Sequence, residues 1–300
     1  MKSEIIKKAA FDLGFKCLIQ EPMKNHTTFC IGGPADIFIE VNDNNKLPLL
    51  LKVVNETKEK LTVIGNGSNL LVSDKGIDGV VLSLCDDRIS VVDNVIECSS
   101  GVKLSKLCNM ALNASLEGVE FMWGIPGTVG GAVYMNAGAY GGEVSQVLSS
   151  CTSITKDGMI IERTAEEMNF GYRISDFKTN DEIILSAKFN LNKGNASDIK
   201  EKMQDLIARR KDKQPLEYAS AGSTFKRPIG NYAGALIEQC GLKGYSIGDA
   251  AVSEKHAGFV INKGNATCDD CLKLIEHIKK IVFEKTGYSL ETEVVFYSRD

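Results

Sequence analysis

Histidine, tryptophan and proline are scarce in this chain of 300 residues, which holds three, one and six of them. With only His26, His256 and His277, and with neither an HxxxH pair nor a second CxxC, no metal site is expected. No run of 18 apolar residues occurs, so no spanning helix is expected. The 35 Lys and Arg do not outnumber the 39 Asp and Glu, and a formal charge of −4 argues against a sequence-independent nucleic-acid binder. The opening stretch Met1 to Ala10 is amphipathic and lacks the long apolar core of a signal peptide. A cytoplasmic protein with no membrane or nucleic-acid partner is expected. The nine cysteines are odd in number and lie mostly in apolar runs, unlike a secreted disulfide framework. Cys268-Asp269-Asp270-Cys271 has redox spacing, but it reads as a helix start with acidic residues at the positive end.

Glycine, by contrast, is plentiful, with 28 residues. The densest stretch runs from Gly124-Ile125-Pro126-Gly127-Thr128-Val129-Gly130-Gly131 to Asn136-Ala137-Gly138-Ala139-Tyr140-Gly141-Gly142. Gly costs about 0.5–1 kcal/mol relative to Ala in regular structure, so this clustering points to a ligand approaching the backbone rather than to packing. A second turn, Gly65-Asn66-Gly67-Ser68-Asn69-Leu70, follows the apolar run Leu61-Thr62-Val63-Ile64. A Rossmann fingerprint would open a helix here, whereas Leu70-Leu71-Val72 continues as strand, and no P-loop Gly-Lys-Ser/Thr occurs. What survives is a turn whose N–H groups form a nest for a pyrophosphate, or simply a tight turn between two strands.

Periodicity places helices near 2–13, 46–57, 103–114, 196–213, 231–240 and 267–285. Strands are expected near 36–41, 61–65, 79–84, 89–92, 95–99, 149–155, 159–163, 182–191, 250–253, 257–262 and 291–297. This order is α+β. Asn195 caps the long helix, and a boundary is placed there: a lead-in over 1–24, one domain over 25–195 and a second over 196–300.

The two glycine segments, together with Gly171-Tyr172-Arg173, Ser220-Ala221-Gly222-Ser223-Thr224-Phe225-Lys226-Arg227-Pro228 and Leu290-Glu291-Thr292-Glu293-Val294, resemble the UDP-N-acetylenolpyruvoylglucosamine reductase (MurB) family in its shorter type. The resemblance covers nearly the whole chain. It implies a two-lobed FAD-binding domain of the vanillyl-alcohol-oxidase type, followed by a smaller α+β substrate-binding domain carrying Ser223 and Glu293. It further implies noncovalent FAD, NADPH as hydride donor, and reduction of UDP-N-acetylglucosamine enolpyruvate to UDP-N-acetylmuramate for peptidoglycan synthesis, by a monomer.

Carried over residue by residue, the resemblance makes Arg173, Ser223 and Glu293 catalytic. Gly65, Asn66, Gly67, Ser68, Asn69, Leu70, Gly124, Ile125, Pro126, Gly127, Thr128, Gly130, Gly131, Asn136, Ala137 and Gly138 become the cofactor-binding candidates. The UDP end needs positive charge, and Tyr172, Arg210, Lys213, Lys226, Arg227, Lys243 and His256 are the substrate candidates. Arg173 suits a carboxylate because its charge is permanent and planar, Glu293 assists only as a hydrogen-bond donor, and Ser223 is a proton donor against a strongly basic carbanion. Taken singly, each reads as a surface arginine, a turn serine and an exposed strand glutamate. Two alternatives stay open: a flavin oxidase of small alcohols, which leaves the Ser223 and Glu293 segments unexplained, and a silent nucleotide-binding protein, against which the complete catalytic set weighs.

Overall fold

The computed structural model describes residues 2–299. It is an α+β fold whose chain forms two compact units, each assembled from separated segments. The first takes the residues through Leu18, Ile37–Asn66 and Gly79–Arg210; the second takes Ile19–Asp36, Gly67–Asp78 and the chain from Lys211 onward. These discontinuous units partition the chain differently from the continuous segments 25–195 and 196–300.

The helices are α1 (Lys2–Asp12), α2 (Leu47–Thr57), α3 (Leu104–Asn113), α4 (Val129–Tyr134), α5 (Ala196–Lys213), α6 (Ala233–Gln239) and α7 (Cys268–Thr286). α2 shows why the periodicity is readable. Leu47, Leu50, Leu51 and Val54 fall on one face and are buried, Pro48 sits in the first turn, and Lys58 ends the helix in a left-handed conformation.

The first unit has two cores. One gathers Ile6 and Ala10 of α1, the buried face of α2, and Ile37, Ile39, Val80 and Leu82. Here strand Leu61–Ile64 runs parallel to Ile77–Leu84, with Leu61 opposite Val80. The other core lies on an antiparallel sheet in the order Ile160–Thr164, Leu148–Ile154, Ile183–Asn190, Val95–Ser99, Ile89–Val92. Leu104, Leu107 and Cys108 of α3 and Val129 and Val133 of α4 pack into it.

In the second unit a sheet ordered Ala219–Ser220, Val260–Asn262, Ala250–Val252, Ser246–Ile247 shares its core with α6 and α7. Thr267 and Asp270 form a capping box at the start of α7, and Asp74 accepts from the N–H groups of Cys268 (2.9 Å) and Asp269 (3.1 Å). Cys268 and Cys271 are buried, and burial pushes the Cys268 thiol up to about 12. The CxxC is therefore the start of a helix. The expected strand over 291–297 is corrected to Val295–Tyr297, parallel to Leu70–Val72. Thr292 instead bridges Phe225, so the segment changes partner midway and its alternation breaks, leaving Phe296 exposed.

Asp86 and Glu120 are buried carboxylates of the first unit, and Asp86 is the more heavily bonded. Burial raises its pKa, but bonds from Arg88, from the N–H groups of Asn44 and Arg88, and from Ser99 outweigh this and hold it at about 2. A depressed carboxylate contributes stability that is present above its unfolded pKa and is lost as pH falls through the folded one. Asp86→Asn is expected to cost about 1–3 kcal/mol at pH 7 and to flatten the loss of thermal stability between about pH 4 and pH 2. Melting temperatures that fall equally in both proteins over that range would refute this.

Candidate functional site

Strand Leu61–Ile64 delivers Gly65 and Asn66 to its C-terminal end. A Cβ on Gly65 would lie 2.4 Å from the Thr128 hydroxyl oxygen, so only glycine admits this approach. The Asn66 side-chain amide donates to the Pro126 carbonyl at 2.7 Å, fastening the first turn to the second. Thr128 in turn caps α4 by accepting from the Gly131 N–H. The rest of the second segment is laced to 100–104: Gly130 N–H donates to Ser100 O at 2.8 Å, Val129 N–H to Val102 O at 2.8 Å, and Leu104 N–H to Gly127 O at 3.1 Å. Packing therefore demands several of these glycines, contrary to the expectation that it does not; a Cβ on Gly142, for example, would lie 2.5 Å from the Phe121 ring.

A cavity of about 500 Å³ opens where these turns meet, lined by Gly65, Asn66 and Thr128 together with Lys103, Lys106 and Asn109. Its size is that of a cofactor pocket; Asp87 also lines it and pairs with Lys106 at 2.7 Å, so Lys103 and the glycine backbone are what suit an anionic dinucleotide. Lys103, Lys106 and Asn109 were missed from sequence. Lys103 is the N-cap of α3, and Lys106 and Asn109 lie further along the helix that follows the strand Val95–Ser99.

In the second unit Gly67 has φ +61, and a Cβ there would stand 2.0 Å from His26 O. Asn69 donates from its side chain to Glu293 O at 3.2 Å, while its own carbonyl accepts from Val295 N–H at 2.9 Å. Leu70 begins the strand expected there.

Arg173 lies in the first unit. Gly171 and Ile174 exchange both backbone hydrogen bonds at 3.0 Å, leaving Tyr172 and Arg173 as a two-residue tip. Arg173 has φ +59, a conformation that favours Gly or Asn. Its guanidinium donates to Gly138 O at 3.1 Å and lies 5.2 Å from the Tyr172 ring centre. Asn136 is fully buried, with both ends of its amide bonded within the protein. Arg210 belongs to this unit as well and packs beside Gly124, where burial lowers its pKa.

Ser223 and Glu293 belong to the second unit and flank one backbone ladder. Thr224 donates to Gly258 O and its carbonyl accepts from Glu293 N–H, both at 2.9 Å, and Lys226 N–H donates to Glu291 O at 2.8 Å. Ser223 is exposed, whereas Thr224 and Phe225 beside it are buried. Among the substrate candidates here, Lys226 pairs with Glu291 (3.0 Å), Arg227 stacks 4.0 Å from the Tyr232 ring centre, and Lys243 pairs with Glu238 (2.7 Å). His256 accepts at Nδ1 from Gly258 N–H at 3.1 Å, so its neutral ring carries the proton on Nε2, and burial lowers its pKa. Lys213 is exposed at the end of α5.

Residues 35–164 match the family described as FAD binding domain, and residues 214–297 match UDP-N-acetylenolpyruvoylglucosamine reductase, C-terminal domain. The UDP-N-acetylenolpyruvoylglucosamine reductase of Caldanaerobacter subterraneus subsp. tengcongensis is 50% identical over 280 residues, 93% of each chain. That of Clostridium novyi is 51% identical over 273 residues, 91% of this chain and 89% of the other. The crystal structure of UDP-N-acetylenolpyruvylglucosamine reductase (MurB) from Thermus caldophilus superposes with a TM-score of 0.81 at 34% identity, covering 94% of this chain and 98% of that one. The chain belongs to the UDP-N-acetylenolpyruvoylglucosamine reductase family. Its cofactor is FAD, and Gly65 and Thr128 both lie within the segment that matches the FAD binding domain. Among the described residues no helix is long and apolar enough to cross a membrane, and no group of metal-ligating side chains occurs.

If the Asn66 amide holds the two glycine turns together, Asn66→Ala should fold normally but bind FAD about 5- to 10-fold more weakly, the equivalent of one hydrogen bond of about 1 kcal/mol. Fluorescence titration of the apoprotein measures this, and unchanged affinity would show that the bond does not shape the cavity.

Proposed function

We propose that this chain is an NADPH-dependent reductase that converts UDP-N-acetylglucosamine enolpyruvate to UDP-N-acetylmuramate, acting in the cytoplasm as a monomer with noncovalently held FAD. Membership of the reductase family supports the reaction. The observation that carries the residue roles is the backbone ladder through Thr224, which fixes Ser223 and Glu293 as near neighbours although they lie far apart in sequence. The chemistry a bound FAD supplies is two-electron hydride transfer, from NADPH to the terminal enolpyruvyl carbon.

The rest falls to side chains. Hydride addition leaves negative charge on the neighbouring carbon, delocalised into the substrate carboxylate. Arg173 holds that carboxylate through a permanent cation whose guanidinium is steadied by Gly138 O. Glu293 in its protonated form donates a second hydrogen bond to the same charge, and Ser223 delivers the proton to carbon. Lys226, Arg227 and Arg210 supply cations for the two phosphates, and Tyr172 packs against the sugar. The cavity at Gly65, Asn66, Thr128 and Lys103 takes the nucleotide part of FAD.

Anaerobic addition of NADPH should bleach the flavin absorbance, and the enolpyruvyl substrate should restore it. Bleaching of the oxidised flavin by simple alcohols, or reoxidation by oxygen in preference to that substrate, would overturn the proposal, as would purified protein lacking flavin. Ser223→Ala should keep the NADPH step and slow the substrate step by roughly 10²–10⁴; equal slowing of both in stopped flow would reject Ser223 as the proton donor. Glu293→Gln, a neutral donor of nearly the same shape, should retain more activity than Glu293→Ala. Should Gln be as inactive as Ala, Glu293 acts by charge or by proton transfer.

A further inference from the structure

α4 closes with a pair of reversed hydrogen bonds: Asn136 N–H donates to Val133 O at 3.1 Å and Ala137 N–H to Ala132 O at 2.8 Å. This is the Schellman arrangement, and Asn136 occupies its left-handed position with φ +42. Glycine is the usual residue there because it carries no Cβ penalty. The cap alone therefore does not explain an asparagine, and the reason lies in its amide.

That amide is 0% exposed. Nδ2 donates to Gly171 O at 3.0 Å, and Oδ1 accepts from Ser145 N–H at 3.0 Å. Gly171 O also accepts from Ile174 N–H at 3.0 Å, so both of its lone pairs are used and the tip bearing Tyr172 and Arg173 is held from outside as well as across itself. Two further bonds join the same turn to the end of α4. Ser175 Oγ donates to Tyr134 O at 2.7 Å, a carbonyl of the last helical turn, and the Arg173 guanidinium donates to Gly138 O at 3.1 Å. Arg173 occupies a left-handed conformation that is unfavourable for an arginine and persists only when its surroundings enforce it.

We infer that Asn136 is a positioning residue for the reaction: its buried amide sets the backbone of the Gly171–Ile174 turn, and so the guanidinium of Arg173, rather than touching the cofactor. The inference rests on the reading of Arg173 as the cation that holds the substrate carboxylate. It also revises the place of Asn136 among the cofactor-binding candidates.

Asn136→Gly is the discriminating variant, because it preserves the helix cap and deletes only the amide. In the flavin-loaded protein, amide hydrogen exchange at Ile174 should accelerate by at least about tenfold while Ala137 stays protected. Flavin content and the affinity of apoprotein for FAD should be unchanged, and the substrate half-reaction should slow by about 10- to 100-fold with the NADPH half-reaction intact. Asn136→Asp, which keeps the acceptor for Ser145 N–H and removes the donor to Gly171 in its ionised form, should reproduce the Ile174 result. Unchanged exchange at Ile174 would overturn the proposal; so would weakened FAD binding with that protection intact, which would make Asn136 a cofactor contact, and so would faster exchange at Ala137 and Ile174 alike, which would make it merely structural. Combining Asn136→Gly with Arg173→Ala separates this inference from the reading beneath it. If Asn136 acts through Arg173, the double variant is no slower than Arg173→Ala. If Arg173→Ala leaves the substrate half-reaction at the normal rate, the role given to Arg173 fails and the catalytic inference falls with it, while the exchange data still report whether the amide sets the turn.

Discussion

A methyl group at residue 65 would collide with the hydroxyl of Thr128, and the organisation of the FAD-binding domain depends on that close approach. Gly65 follows a strand of one core and Thr128 caps a helix of the other, and both line the cavity beside them. Thr128 serves both sides of the junction. Its hydroxyl caps α4 and limits the volume at residue 65, so a substitution at either position disturbs the other. Asn66 then locks the junction through Pro126, a residue with no N–H of its own whose carbonyl is available to accept.

Much of this was legible in sequence, though not for the reason first suggested. The glycine segments, the helix over 47–57 and the cap at Asn195 stand out because each is a local pattern: spacing of apolar residues, a capping side chain, or a residue tolerant of φ > 0. Glycine density was expected to reflect a ligand, yet Gly65, Gly130 and Gly142 are also required by neighbouring protein atoms. Ligand approach and backbone packing both exclude a Cβ, and composition does not distinguish them.

What sequence did not disclose are features set by distant partners. Residues 291–297 alternate like one strand, but the ladder passes from Phe225 and Lys226 to Asn69 and Leu70 within those residues. Lys103 and Asn109 reach the cavity only because α3 is laced to the second glycine segment, which no window around residue 103 contains. The discontinuous units have the same origin, since the residues that share a core come from segments separated along the chain.

The catalytic candidates are held in two physically different ways. Glu293 needs no unusual conformation: its N–H and carbonyl are both engaged, by Thr224 O and by the Asn69 side chain, so its backbone is fixed by ordinary pairing. Arg173 sits at the tip of a turn, where pairing alone would permit any residue suited to positive φ, and an arginine is a poor choice for stability. Lys58 at the end of α2 shares this conformation, so it is the bonds around the Arg173 turn, and not its φ alone, that set it apart. The bonds from Asn136, Ser175 and Arg173 itself anchor the turn to the end of α4, whose first turn lies at the junction with Gly65. One helix of six residues thus connects the cavity at Gly65 and Thr128 to the turn that carries Arg173.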